Sequence, residues 1–184
     1  MSARTMNIMA ERCYIGLGAN LIAPVAQLKR AVAALALLPA TQLRQVSQFY
    51  SSKPMGPQDQ PDYVNAVAAL DTELSAQQLL AALQQIELQQ GRERKAERWG
   101  PRTLDLDILL YGQLQLTTAQ LTIPHYGMRQ REFVLYPLFE LAPELTLPDG
   151  TPLTMLIKQV PLNGLQPLPL AAHPALCDLA QAES

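Results

Sequence analysis

The chain has 184 residues, 48% of them hydrophobic and 16% charged, with a formal net charge of -2. That length supports one domain with a full core, and that composition excludes a disordered or heavily charged solvated chain. The near-neutral balance gives no global attraction to nucleic acid or an anionic membrane, so recognition of anions has to rest on local charge.

The opening residues, MSARTMNIMAE, lack the continuous apolar core of a secretory signal, and no apolar run approaches the ~20 residues that span a bilayer. Cys13 and Cys177 stand in no CxxC pair, which fits reduced thiols. The expectation is a cytoplasmic monomer with neither a nucleic-acid nor a membrane partner.

RCYIGLG (Arg12 to Gly18) reads as a buried strand that leaves through a turn at Ala19-Asn20. PVAQLKRAVAALALL (Pro24 to Leu38) has proline at the first helical position and apolar residues at helical spacing, so it predicts an amphipathic helix stopped by Pro39. TQLRQVSQFYSS (Thr41 to Ser52) predicts one second strand. The next stretch, KPMGPQDQPD, has three prolines and a glycine in ten residues, which suits a shaped loop that forms a lid or a binding wall. YVNAVAAL (Tyr63 to Leu70) predicts a strand with Tyr63, Asn65 and Val67 on one face. In SAQQLLAALQQIELQQG, Ser75 and Gln78 have capping-box spacing, Leu79, Leu80, Leu83 and Ile86 form an apolar stripe, and Gly91 ends the helix.

TLDLDILLYG then predicts a strand ending at Gly112, LTIPHYGMRQREFVLYPLFELAP a loop leading into a short helix, and LPDG (Leu147 to Gly150) a tight turn. Beyond Val160 proline and alanine accumulate without periodicity. Residues 1–160 are therefore expected to form the domain, and 161–184 a loosely attached tail. Strands and helices intermix without strict βαβ repetition, which favours an α+β class with an antiparallel or mixed sheet.

Asp105 and Asp107 interrupt an apolar strand. Period-2 alternation puts Leu104, Leu106, Ile108 and Leu110 on one side and Asp105, Asp107, Leu109 and Tyr111 on the other. The carboxylates then share a face, about 6.5 to 7 Å apart along the backbone, and their repulsion calls for a cation. On a solvated strand face the pair would need no further explanation. Against that bland reading, GRERKAERWGPR brings Arg92, Arg94, Lys95, Arg98 and Arg102 directly before the acids. Mg²⁺ is typically held by one or two carboxylates together with substrate phosphates; two ions about 3.5 to 4 Å apart would suit this pair, and arginine forks would neutralise the remaining phosphate charge. Polyphosphate transfer uses all of these parts. His125 and Arg131 add two candidate phosphate ligands, while Trp99, Tyr63, Asn65 and Phe133 suit a pocket for a flat heterocycle. Core packing remains the plain alternative for Tyr63 and Phe133. No GxxxxGK[ST] occurs, and GLGANL lacks the third glycine of GxGxxG, so side chains and metal have to hold the phosphates.

RWGPRTLDLDILLYG, with FYSSKPMGPQDQPDYVNAV, IELQQGRERKAERWG and LTIPHYGMRQREFVLYPLFELAPEL, resembles the 6-hydroxymethyl-7,8-dihydropterin pyrophosphokinases of the folate pathway over roughly Tyr14 to Gly150. The resemblance implies a ferredoxin-like α+β sandwich, two Mg²⁺ ions, and transfer of the β,γ-pyrophosphate of ATP to the pterin hydroxymethyl group, releasing AMP. It implies Asp105 and Asp107 as metal ligands and Arg92 and Arg102 as stabilisers of the transferring group. Around the nucleotide it implies Gln84, Glu87, Arg92, Arg94, Trp99, Arg102, Ile108, Thr122, His125, Tyr126 and Arg131. For the pterin it implies Ser52, Lys53, Met55, Tyr63, Asn65, Trp99 and Phe133, with loops Lys53 to Pro61 and Gln90 to Pro101 closing over both substrates. Lys53, Met55 and Gln120 depart from residues common in bacterial members, proline, leucine and arginine respectively. A ferredoxin-like RNA-binding module is the alternative from another class; it accounts for the basic run but leaves Asp105 and Asp107 repelling the RNA.

Overall fold

The structure is a computed structural model, and it describes residues 9–91 and 103–169. Strand β1 (Glu11–Ala19) is followed by α1 (Pro24–Ala36), β2 (Thr41–Val46), β3 (Tyr50–Ser52), β4 (Tyr63–Thr72), α2 (Ala76–Gln89) and β5 (Asp105–Tyr111). These strands form an antiparallel sheet ordered β5-β1-β4-β3, in which β2 also pairs with β4. Counting β2 and β3 as one broken strand gives the βαββαβ succession of the expected ferredoxin-like α+β fold.

The expected strand Thr41 to Ser52 breaks at residues 47–49 because the pairing register along β4 changes there. Ser47 bridges the break: its N–H donates to Val67 O (2.8 Å) and its hydroxyl accepts from Val67 N–H (2.9 Å). Both polar groups of Val67 stay paired where the partner strand is interrupted.

Helices α1 and α2 cover one face of the sheet. Leu28, Ala31, Val32 and Leu35 of α1 and Leu79, Leu83 and Ile86 of α2 pack there against Ile15, Leu17, Ala66, Ala68, Leu106 and Ile108. Proline stands in the first turn of α1, and α2 carries the anticipated capping box between Ser75 and Gln78.

The other face is covered by α3 (Glu132–Leu141) and α4 (Leu153–Gln159), the latter with no forecast in the sequence pattern. Leu135, Leu138, Leu153 and Leu156 pack against Tyr14, Val67, Ala69, Leu109 and Leu110. Between β5 and α3 lie a short hairpin of β6 (Leu116–Thr117) and β7 (Thr122–Ile123) and a 3₁₀ turn, Met128–Gln130.

Strand β5 departs from simple alternation after Ile108. Ile15 faces Ile108 but Tyr14 faces Leu110, leaving Leu109 as an extra residue in a β-bulge. Leu104, Leu106 and Ile108 face α1 and α2 as anticipated, but Leu110 joins Leu109 on the α3 and α4 side. Tyr111 turns the other way, packing on the α1 and α2 side with its hydroxyl donating to Leu74 O (2.5 Å).

The loosely attached tail also needs correction over its first part. Leu165 is buried, and β8 (Gln166–Pro167) pairs with β3. The remainder, 170–184, which includes Cys177, lies outside the described residues.

At the end of the sheet where β4 stops, Asp71 accepts from Arg12 Nε (2.5 Å) and Arg44 Nε (2.6 Å). These partners, Arg12 foremost, hold the carboxyl below its usual range against the opposing effect of burial. A depressed folded pKa contributes stability that is complete above the unfolded value of 3.8 and is lost as pH falls through the folded value. Asp71→Asn should therefore cost about 1 kcal/mol or less at pH 7 and flatten the loss of stability below pH 3.8. Urea unfolding across that acid range checks this; identical acid slopes in both proteins contradict it.

Candidate active site

The two strands that flank β1 send side chains to the same sheet face, beyond the N-terminal end of α3. In register across them, Asn65 of β4 faces Gly18 of β1, which faces Asp105 of β5, and Gly16 faces Asp107 one step along. The middle strand thus has no side chains between the amide and the carboxylates. A Cβ at Gly16 would stand 3.3 Å from Leu109 Cδ2, and one at Gly18 would stand 3.3 Å from Asn65 Oδ1. The floor is therefore bare backbone because larger residues would crowd both walls.

Above this floor is a cavity of about 300 Å³. Gly16, Leu17 and Gly18 form its base; Ser52, Lys53, Met55, Gly56, Tyr63 and Asn65 form one wall. The opposite wall consists of Asp105, Asp107, Leu109, His125 and Tyr126, with Arg131 and Phe133 at the start of α3. Eleven residues singled out from the sequence as binding or catalytic meet here: Ser52, Lys53, Met55, Tyr63, Asn65, Asp105, Asp107, His125, Tyr126, Arg131 and Phe133.

On the amide wall, Asn65 is buried and its Nδ2 donates to Ser52 Oγ at 2.6 Å. That bond fixes the amide plane and leaves its polar edge at the cavity. The following loop is shaped by its own side chains. Gln58 Nε2 donates to Pro54 O and Gly56 O, and Gln60 Nε2 donates to Pro57 O. Buried Asn20, at the end of β1, ties down the loop's far end by donating to Gln60 Oε1 (3.0 Å) and Pro61 O (2.9 Å).

On the carboxylate wall, His125 N–H donates to Leu109 O (3.0 Å), fastening the loop to the bulge of β5. Nδ1 of His125 accepts from Gly127 N–H (3.1 Å), and Nε2 lies 3.7 Å from Asp107 Oδ2. Burial lowers the imidazole pKa to about 4, with Arg131 adding to that effect and Asp105 opposing it. The ring is neutral at pH 7, so its approach to Asp107 is no ion pair. Since Nδ1 is an acceptor, the proton resides on Nε2, where it faces the carboxylate. Tyr126 stacks on the imidazole at 4.6 Å between centroids. The Arg131 guanidinium lies 5.5 Å from the Tyr126 ring centre and 5.9 Å from that of Phe133. A Cβ on Gly127 would come within 2.5 Å of Arg131 Cζ, so this glycine makes room for the cation.

Other residues singled out from the sequence adjoin β5 outside the cavity. The side chain of Ile108 is in the core on the α1 and α2 face. Glu87 of α2 is buried and accepts from Leu106 N–H at 2.8 Å, pairing an outward amide of the sheet's edge strand between the two aspartates. Gln84 is half-buried on α2, and Thr122 is half-buried on β7. Arg92, Arg94, Trp99 and Arg102 lie outside the described residues. The sequence reading missed Gly16, Gly18, Leu109, Gly127 and Asn20 as parts of the site. The available signal is glycine alternating with leucine inside a strand, as in Gly16-Leu17-Gly18.

The donor set suits a hard, hydrated cation. Among the described residues no three His, Cys, Asp or Glu side chains converge into a closed metal cage. Two carboxylates on one face, Asp107 with 41% of its side chain exposed, leave room for waters and substrate oxygens, as Mg²⁺ prefers. Among the described residues no helix is long and apolar enough to cross a membrane.

The family model for 7,8-dihydro-6-hydroxymethylpterin-pyrophosphokinase (HPPK) matches residues 14–143. A 2-amino-4-hydroxy-6-hydroxymethyldihydropteridine pyrophosphokinase of Pseudomonas aeruginosa is 54% identical over 161 residues, covering 88% of this chain and 99% of that protein. The protein of the same description from Haemophilus influenzae is 58% identical over 146 residues, covering 79% and 91%. Among solved structures, wild-type Plasmodium falciparum HPPK-DHPS with pteroate superposes with a TM-score of 0.65 at 13% identity. That match covers 82% of this chain but only 42% of the Plasmodium chain, and at such identity it speaks for the fold alone. With the family's pattern running through the strands that build the cavity, the chain belongs to the 7,8-dihydro-6-hydroxymethylpterin-pyrophosphokinase family, the ATP-dependent pyrophosphokinases of folate biosynthesis.

Proposed function

We propose that the pterin and the ATP polyphosphate meet in this cavity, the ring on the Asn65 wall and the phosphates on the Asp105 and Asp107 wall. One observation carries the assignment: an amide that can read a heterocycle edge and a carboxylate pair suited to metal-bound phosphate flank the same bare glycine floor. Tyr63 and Phe133 supply aromatic surface for a flat ring, and Ser52 orients the Asn65 amide. Lys53 and Met55 close the wall from the loop side.

Asp105 and Asp107 would hold two Mg²⁺ ions. Bound there, the ions supply Lewis-acid stabilisation of charge on the phosphate oxygens. His125 presents a neutral Nε2–H donor, and Arg131 a fixed cation between two rings, to the same region. Arg92 and Arg102 neutralise the transferring pyrophosphate, and Arg94 and Trp99 contact the nucleotide, Trp99 also covering the pterin. Gln84, Glu87, Ile108, Thr122 and Tyr126 border the nucleotide along β5. The hydroxymethyl oxygen forms a bond to the β-phosphorus, the bond from that phosphorus to the α–β bridging oxygen breaks, and AMP leaves with that oxygen. The hydroxyl proton is released to solvent. Positioning and charge stabilisation account for the rate, without a covalent enzyme intermediate.

The chain acts as a cytoplasmic monomer with residues 1–160 as its catalytic domain, onto which 165–168 dock through β8.

Protein mixed with ATP, Mg²⁺ and 6-hydroxymethyl-dihydropterin should yield AMP in a pterin-dependent manner; ADP, or turnover without pterin, would sink the assignment. Asp107→Ala should lower turnover by at least about 10²-fold while leaving the circular dichroism and thermal midpoint close to wild type. Wild-type rates in that variant would exclude the carboxylate as a metal ligand. Asn65→Ala should raise the pterin KM about tenfold or more with the ATP KM nearly constant, and an unchanged pterin KM would move the ring elsewhere.

A further inference from the structure

The chain after Val160 has a part in the site's geometry that the reaction chemistry does not require. Residues 162–165 make a tight turn: Leu165 N–H donates to Leu162 O (2.9 Å), and Asn163 (φ 47°) and Gly164 (φ 82°) both take left-handed conformations. Two consecutive positive φ values at Asn-Gly mark the hairpin-type turn whose twist suits a returning strand. Leu165 is buried, and Gln166 and Pro167 of β8 then pair antiparallel with Ser51 and Tyr50. Leu168 N–H donates to Phe49 O (2.8 Å), and the Leu168 side chain packs on the α1 and α2 core.

Strand β3 is only three residues long, and Ser52, its last residue, opens directly into the Lys53 loop that walls the cavity. Without β8 it would be a short edge strand held on one side by β4 alone. With β8 it is paired on both edges. The turn also backs the start of the loop, since a Cβ on Gly164 would lie 3.9 Å from Lys53 Cε. From above, Glu140 of α3 accepts from Gln48 N–H (2.9 Å) and Tyr50 Oη (2.6 Å), so the same strand is restrained on a third side.

We infer that residues 162–168 are a positioning element for the pterin, a clamp that holds β3 so that Ser52 and the Lys53–Met55 wall are set before substrate arrives. The inference rests on the reading of that wall as the pterin side of the site. Pre-setting a wall reduces the ordering that binding would otherwise require, so the clamp acts on pterin affinity more than on the chemical step. Three strands of the sheet lie between β8 and β5, which carries both carboxylates.

The test uses the full chain with Gly164→Val and Leu168→Pro together, which disfavours the left-handed turn and removes the amide that donates to Phe49. The pterin KM should rise about three- to tenfold, as expected for one or two lost backbone hydrogen bonds, with kcat and the ATP KM within about twofold. Asp71→Asn, which weakens the far end of the same sheet, is the control for general destabilisation and should leave the pterin KM unchanged. Asn65→Ala separates the two ideas. A raised pterin KM in Asn65→Ala with none in the double variant overturns the clamp, whereas no rise in either overturns the pocket assignment. A fall in kcat together with a rise in both KM values also overturns the clamp, in favour of a purely structural role. Coupling is reciprocal, so a second measurement needs no variant. Saturating pterin should slow amide exchange at Leu168 in the wild-type protein, and exchange that is slowed at Asn65 but unchanged at Leu168 overturns the inference.

Discussion

Everything in this site depends on β1 having no side chain at Gly16 and Gly18 on one face of the sheet. The strand is central and its other face is packed with Ile15, Leu17 and Ala19, so it cannot shift to make space. Along the same face the sheet is filled by Leu135, Leu138, Leu153 and Leu156 at one end and left open at the other. The cavity is the stretch of sheet that α3 and α4 do not cover, kept open by residues that have nothing to fill it with. Its chemistry then comes from the flanking strands, whose register is set by a dozen or more backbone pairs rather than by the site itself.

The charges divide by function in the same way. Asp71 is satisfied by two arginines at the far end of the sheet and works on stability. Within the described residues, the carboxylates of the site face a histidine held neutral by burial and an arginine held between aromatic rings. A neutral imidazole offers a hydrogen bond without compensating the carboxylates' charge, which leaves them able to attract a metal. Glu87 serves a different end, using a buried carboxylate to pair an edge amide of the strand that presents both acids.

Much of this was legible in the chain because several local signals agreed. The capping box of α2, the proline that starts α1, the alternation of Tyr63 with Asn65, and the two acids within an apolar strand all read correctly, and each is a short-range pattern. The break of Thr41 to Ser52 was not legible, because it reflects register along β4 and a serine hydroxyl that reaches across strands. Helix α4 is only seven residues long, too short for periodicity to announce itself. The attachment of β8 escaped for the same reason: two residues of strand next to a proline carry almost no pattern, and their place is fixed by the partner. At the site, the residue types that act on substrate stood out, whereas Gly16, Gly18 and Gly127 did not. Their contribution is the volume they leave empty, which composition cannot display.

The bulge at Leu109 has a consequence for how this strand can change. Before it, odd positions face the cavity and even positions the α1 and α2 core; after it, Leu110 and Tyr111 have exchanged sides. One surplus residue lets the two halves of a seven-residue strand obey opposite parities. The half with the acids is thereby insulated from substitutions that resize the leucines under α3 and α4. Deleting Leu109 would restore plain alternation and leave Leu110 and Tyr111 on the sides they already occupy, whereas one residue inserted between Asp105 and Asp107 would turn one acid toward the α1 and α2 core. An insertion that a loop absorbs without effect would there exchange inside for outside, so the spacing of the two acids is the property this strand can least alter.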